Sequence, residues 1–388
     1  MPDSFTDITS QGWLSRIGQA ITGVLVGLVL VLVAFPLLWW NEGRAVRTAR
    51  SLQEGASAVI SVQFDRVDAA NEGKLVHLCG EATTSETVSD PEFGVSAPSA
   101  IKLVRNVEMY QWQEEKKSQE KSKLGGGKET TTTYTYNTQW SGRPVDSSSF
   151  KHPEGHANPG SFPFESRTIT AGTVTVGGFT LSPDLIAKID TREARPVGES
   201  DADALPAGSN LTMAGGVFYR GENPSVPKVG DLRVKFEIVK PQVVSIVAVQ
   251  RGNSFEAYQA RAGNSILLLQ AGTVSADSMF KAAERENTML TWLLRAGGFL
   301  MMLVGLVLVF RPIAVFGSVI PFLGSLLGAG LGAFAFFVAT SLSLLTIALA
   351  WIAYRPLVGI GLLVVAGGAF VLLTRMRKKH VPVPAPAK

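Results

Sequence analysis

Cysteine is almost absent. The single Cys79 excludes an intramolecular disulfide and any multi-cysteine metal site. Histidine is scarce too, at His77, His152, His156 and His380. The segment "HPEGH" over 152–156 has paired histidines. However, a zinc-protease pattern needs both imidazoles on one helical face with a glutamate beside the first, and here proline and glycine make a loop. No phosphate loop is present, because "LGGGK" over 124–128 lacks a preceding apolar strand and a Lys-Ser/Thr pair. Charged residues make up only 18% of the 388, against about 25% in ordinary soluble domains. The small net charge of +4 gathers at "RMRKKH", and no basic face suited to nucleic acid is evident. The sequence calls for no cofactor and no metal.

What the chain does have is long uncharged runs, at 17–41, 312–354 and 356–374. A helix needs about 20 apolar residues to cross a bilayer, so these predict an integral membrane protein. The first run exceeds a signal-peptide core and has no small-x-small cleavage site after it, so it reads as an uncleaved span ending on Trp39 and Trp40. The expected fold class is an α+β membrane protein, with four transmembrane helices and a large β-rich extramembrane domain inserted between helices one and two.

The expected segments are an N-terminal tail (1–16), span one (17–40), the β-rich domain (41–274) and a juxtamembrane helix (275–291). Span two follows (292–310), then an interfacial or re-entrant apolar segment (313–328), span three (330–353), span four (356–374) and a basic tail (375–388). Trp39, Trp40, Arg44, Arg295, Arg311, Arg355, Arg375 and Lys378 are the expected membrane-interface residues, as aromatic belts, snorkelling arginines and a positive-inside cluster. That cluster favours cytoplasmic termini and a large domain on the opposite side, although Arg44, Arg47 and Arg50 argue for the reverse.

Within the domain, "VGDLRVKFEIV" alternates with period two, so Leu232, Val234, Phe236 and Ile238 share one face. "KLVRNVEMYQW" and "TTTYTYNTQW" are strand-like and flank a charged, glycine-rich stretch. Together they predict a long hairpin with a solvated, mobile tip. The weak catalytic candidates are Glu42, Glu72, His77 and Asp90. Carboxylates brought into one cleft could act as general acid and base, and His77 shares a strand face with Cys79. Solvated or arginine-paired carboxylates and a buried cysteine are the simpler readings. Asn-Glu-Gly-basic occurs twice, at 41–44 and 71–74, and reads as two turns.

Several strings carry a family likeness: "NEGRAVRTARSLQEG", "NEGKLVHLCG", "VSDPEFGV", "AIKLVRNVEMYQW", "YTYNTQW", "GENPSVPKVGDLRVKF" and "FVATSLSLLTIALAWIAYRPL". In this order the chain resembles the LUMA, or transmembrane protein 43, family over nearly its whole length. The resemblance implies four spans, self-association and an organising role at membranes of the endoplasmic reticulum and inner nuclear envelope, with no catalytic residues to carry over. Alanine- and glycine-rich spans and the "VPVPAPAK" tail suggest a bacterial member, in the inner membrane with a periplasmic domain. The expected partners are then membrane lipids, further copies of the chain and other envelope proteins. The expected function is a non-catalytic membrane scaffold. The alternative is a lipid-binding protein or hydrolase in which Glu42, Arg44, Glu72 and Lys74 converge with Asp90.

Overall fold

The computed structural model describes residues 3–206, 209–357 and 361. They form two compact units, one mainly of sheet and one mainly of helix. The long helices are α1 (Trp13–Ala58), α2 (Ala276–Gly317) and α3 (Pro321–Tyr354). The strands used below are β1 (Asp3–Gln11), β2 (Leu75–Thr83), β3 (Lys102–Ser122), β4 (Lys128–Ser141), β5 (Leu232–Val239) and β6 (Gln242–Arg251).

The sheet unit is built from two sheets. One runs β1-β4-β3-β5 and continues through Val217–Arg220 to Thr212–Ala214. The other centres on the antiparallel β2–β6 pair, in which Leu78 faces Ile246 and Val76 faces Ala248. Val76, Leu78, Val244 and Ile246 from the second sheet join Leu103, Val107, Val234 and Phe236 from the first in one hydrophobic core. The period-two reading holds for Leu232, Val234 and Phe236, which are buried. It slips at the end of β5, where Val239 is buried and Ile238 only half-buried.

A second, smaller cluster packs Leu52 of α1 with Met279 and Phe280 of α2 against Leu75, Val247 and Val249. The outer ends of both helices therefore fold as part of the sheet unit.

β3 and β4 form the expected hairpin, turning through Gly125 and Gly126 at φ 82° and 76°, a region glycine adopts without penalty. The tip is held rather than free. The Gly125 amide donates to the Val319 carbonyl at 3.1 Å, and Arg16 donates to the Gly126 carbonyl.

Arg195 and Asp201 close a loop of the same unit. The guanidinium donates twice to the carboxylate, at 2.8 Å each, and the Gly198 amide adds a third bond at 2.9 Å. The Arg195 hydrogen bond, opposed by burial and aided by Gly198, holds the Asp201 carboxyl below its usual range. A depressed folded-state pKa stabilises above the unfolded value, and that stability disappears as pH falls through the folded value. Asp201→Asn should therefore lower the melting temperature at neutral pH. The difference from the parent protein should shrink below about pH 4, where free aspartate protonates. Thermal melts across pH check this, and a pH-independent difference would reject it.

In the helical unit, Ala34 and Leu38 of α1, Met302 and Leu306 of α2, and Ala335 and Ala339 of α3 form a common apolar seam. Among the described residues, three helices are long and apolar enough to cross a membrane, not four. The expected span over 356–374 lies outside the described residues apart from 356, 357 and 361, as do Arg375 and Lys378. An orientation drawn from an even span count loses its basis with this correction.

Helix bounds also differ from the expected segments. α1 continues 18 residues past Trp40 to Ala58, because "RAVRTARSLQ" is rich in good helix formers. The juxtamembrane helix and span two are one helix, which runs through Arg311-Pro312 to Gly317. The apolar stretch 313–328 is divided between the end of α2 and the start of α3.

Candidate functional site

The first Asn-Glu-Gly-Arg is not a turn. It lies inside α1, where Asn41 and Glu42 are fully buried. Helical spacing brings Asn41, Arg44, Ala45 and Thr48 to one side. The second copy does turn. Ala69–Asn71 is a short 3-10 helix and Gly73 has φ 73°. Identical letters thus have two structures, set by the apolar helix that precedes only the first.

Glu42 lies 1% exposed among the helices. Arg295 of α2 donates to both its oxygens, Nε at 2.6 Å and Nη2 at 2.8 Å, and the Trp351 indole of α3 donates at 2.8 Å. The Arg295 guanidinium also stands 4.8 Å from the Trp292 ring centre and 5.7 Å from that of Trp351. One turn away, Arg44 donates to the Asn287 amide oxygen at 3.0 Å, to Thr291 Oγ1 at 2.9 Å and to Asn41 Oδ1 at 3.3 Å. Asn41 Nδ2 donates to the Thr291 carbonyl at 3.0 Å, and Asn287 Nδ2 to that of Ala45 at 3.0 Å. The result is a polar knot joining three helices where their apolar runs end. A buried ion pair is tolerated when its geometry and remaining hydrogen bonds are good, and these conditions are met here.

Gly43 belongs to the same knot. A β-carbon there would lie 2.6 Å from Tyr354 Cζ. Gly43→Val should displace Tyr354 and loosen α1 against α3 by about 1–3 kcal/mol, the usual cost of overpacking. Unfolding in lipid nanodiscs measures this. A wild-type melt with unchanged accessibility of Tyr354 would refute the contact.

The other catalytic candidates have partners of their own in the sheet unit. Glu72 accepts from the Gly252 amide at 2.9 Å and faces Arg251. Asp90 is buried and accepts from Arg105 at 2.9 and 3.1 Å, with Arg105 lying over Phe93. His77 Nε2 lies 2.9 Å from the Val274 carbonyl and must donate to it, so it cannot take the proton of Cys79, whose Sγ is 3.5 Å away. Cys79 Sγ instead lies 3.0 Å from Ser245 Oγ. Lys74 uses its backbone to pair with Gln250. Glu42 and Arg44 fall in the helical unit, and Glu72, Lys74 and Asp90 in the sheet unit.

Of the interface residues, Trp39 and Trp40 are exposed, and Trp39 meets Tyr354 edge-on. Arg311 and Arg355 are exposed. Arg44 and Arg295 are instead engaged by protein. Sequence reasoning missed Trp351 and Asn287 as their partners. The available signal was Asn287, about two turns before Arg295 on the same helix, and Trp351 at the end of an apolar run.

The comparisons bear on origin as well as identity. The transmembrane protein 43 family model matches residues 109–356. Mouse transmembrane protein 43 is 41% identical over 89% of this chain and 88% of its own length. The human protein is 40% identical over 94% and 92%, and a Drosophila homolog is 30% identical over 90% and 94%. No solved structure matches. These relatives come from mammals and an insect, so the bacterial assignment and the inner-membrane, periplasmic placement built on it are not upheld. The compositional signs behind that assignment, small residues in the spans and a Pro-Ala tail, do not specify a lineage. Integral membrane character, a large extramembrane domain and homology over nearly the full length agree: the chain belongs to the transmembrane protein 43 (LUMA) family.

Proposed function

We propose that the protein is a non-catalytic membrane organiser that associates with itself and presents the β-rich domain at the membrane surface to other envelope proteins. The saturation of Glu42 carries this reading. Both its oxygens are taken by Arg295 and Trp351, leaving no poised acid or base at the most buried carboxylate of the helices. A catalytic group needs a free proton site in reach of substrate, whereas a structural one needs closure.

Self-association is supported by α3. Gly328 and Gly332 stand four apart, and a β-carbon on either would meet nothing within 4 Å. They border a cleft of about 110 Å³ against Val307, Phe310, Arg311 and Ala314. Small residues at this spacing let membrane helices approach closely. Native mass spectrometry from nanodiscs should show oligomers, and Gly328→Ile with Gly332→Ile should shift them towards monomer. A parent protein that is strictly monomeric at every concentration would overturn the proposal.

A further inference from the structure

We propose that the cleft beside the Glu42–Arg295 pair holds the headgroup of a zwitterionic phospholipid bearing a primary ammonium, as in phosphatidylethanolamine. The cleft measures about 350 Å³ and lies within the helical unit, with Glu42, Glu284, Trp292, Arg295, Trp351 and Arg355 on its wall. This is the scale of a small-molecule site.

Its depth points to lipid. Trp39 and Trp40 close the apolar run of α1, Trp292 opens that of α2, and Trp351 and Tyr354 end α3. Aromatic residues collected where apolar runs stop mark the headgroup level.

Its charges select the headgroup. Glu42 and Arg295 neutralise each other. Glu284 and Arg355 remain on the wall, and neither has a side-chain ion pair among the described residues. Among the described residues, a cation and an anion without ion-pair partners thus face a single cleft and match a headgroup with both signs: phosphate against the Arg355 guanidinium, ammonium against the Glu284 carboxylate.

A trimethylated ammonium would need open aromatic faces. Arg295 already stands over one face of each of the Trp292 and Trp351 rings, so the cleft does not enclose a cation in open aromatic faces. A carboxylate that can accept N–H bonds favours the primary amine over choline. An anionic glycerol headgroup would use Arg355 but leave Glu284 opposed by phosphate.

This inference goes beyond the organising role and does not depend on self-association. The test is native mass spectrometry of the full chain released from nanodiscs containing equal parts of phosphatidylethanolamine, phosphatidylcholine and phosphatidylglycerol. The expected result is preferential retention of phosphatidylethanolamine. Arg355→Gln and Glu284→Gln should each cut that retention roughly tenfold, the worth of one charge-assisted hydrogen bond, with the melting temperature unchanged. Soluble glycerophosphoethanolamine should fail to compete, since the acyl chains supply much of the affinity. Equal retention of the three lipids, preference for phosphatidylglycerol, or full competition by the soluble headgroup would overturn the proposal. So would wild-type retention in folded variants. If a variant fails to fold, the selectivity of the parent protein alone decides.

Discussion

Replacing Arg295 with alanine is expected to destabilise the helical unit by about 3–5 kcal/mol, because it leaves a buried carboxylate without its counter-charge. Glu42 is 1% exposed, and two of its three side-chain hydrogen bonds come from Arg295. The Trp351 indole would be the one donor left. Arg295→Lys should recover only part of the loss, since a single ammonium cannot reproduce the two-pronged contact or the stacking on Trp292. By contrast, Trp351→Phe removes one donor and leaves the ion pair, so its expected cost is about 1.5–3 kcal/mol, the range for a hydrogen bond to a charged group. Unfolding followed by tryptophan fluorescence in nanodiscs would rank the three variants. An Arg295→Ala protein as stable as the parent would show that the pair holds nothing together.

The second large effect is expected where α1 and α2 cross. A β-carbon on Gly27 would come 2.5 Å from the Gly305 carbonyl oxygen and 2.9 Å from Leu308 Cβ, and one on Gly305 would come 2.7 Å from the Gly27 carbonyl oxygen. Backbone stands on both sides, so no side-chain rotamer can relieve the clash. Gly27→Leu or Gly305→Leu must push the helices apart along the seam that packs Ala34 and Leu38 against Met302 and Leu306. The expected penalty is at or above the usual 1–3 kcal/mol of overpacking. Gly297→Leu is the control, since a β-carbon there meets nothing within 4 Å. Crosslinking between cysteines placed on α1 and α2 should fall in the first two variants and persist in the third. Equal crosslinking in all three would contradict the close crossing.

The parts of this architecture that follow local rules were legible in the sequence. Alternation placed Leu232, Val234 and Phe236 in the core, and β-rich strings around a glycine-rich centre gave the β3–β4 hairpin. Of the three uncharged runs, 17–41 lies within α1 and 312–354 is shared between the end of α2 and α3, while 356–374 falls almost wholly outside the described residues, and the helix ends were misplaced. Hydropathy marks where a helix can leave lipid, not where the helix stops, so α1 appeared to end at Trp40 although it reaches Ala58. Span two, expected over 292–310, likewise continues through Pro312 within α2. The strand Glu193–Arg195 and the short helix Glu199–Asp203 were hidden in a segment of loop-like composition. The strand pairs with β5, Ala194 opposite Glu237, and Arg195 meets Asp201, neither of which a local pattern announces.

The knot was half legible. Arg295 stood out as a charge inside an apolar helix, and Glu42 was named as a weak candidate, yet nothing local paired them across 253 residues. The repeated Asn-Glu-Gly pointed the wrong way, because the same letters turn at Gly73 and remain helical at Gly43. Glycine served as a conformational device in one copy and as a missing side chain against Tyr354 in the other.

The central claim is that Glu42 and Arg295 are a structural lock and not a chemical site. A double-mutant cycle tests it most directly, with Glu42→Leu, Arg295→Leu and the combined variant unfolded in identical nanodiscs. The account predicts that each single variant is strongly destabilised and that the apolar pair returns close to the parent stability, because removing both charges removes the desolvation cost along with the attraction. Two single variants that each unfold like the parent, or a double variant whose loss equals the sum of the two, would contradict it.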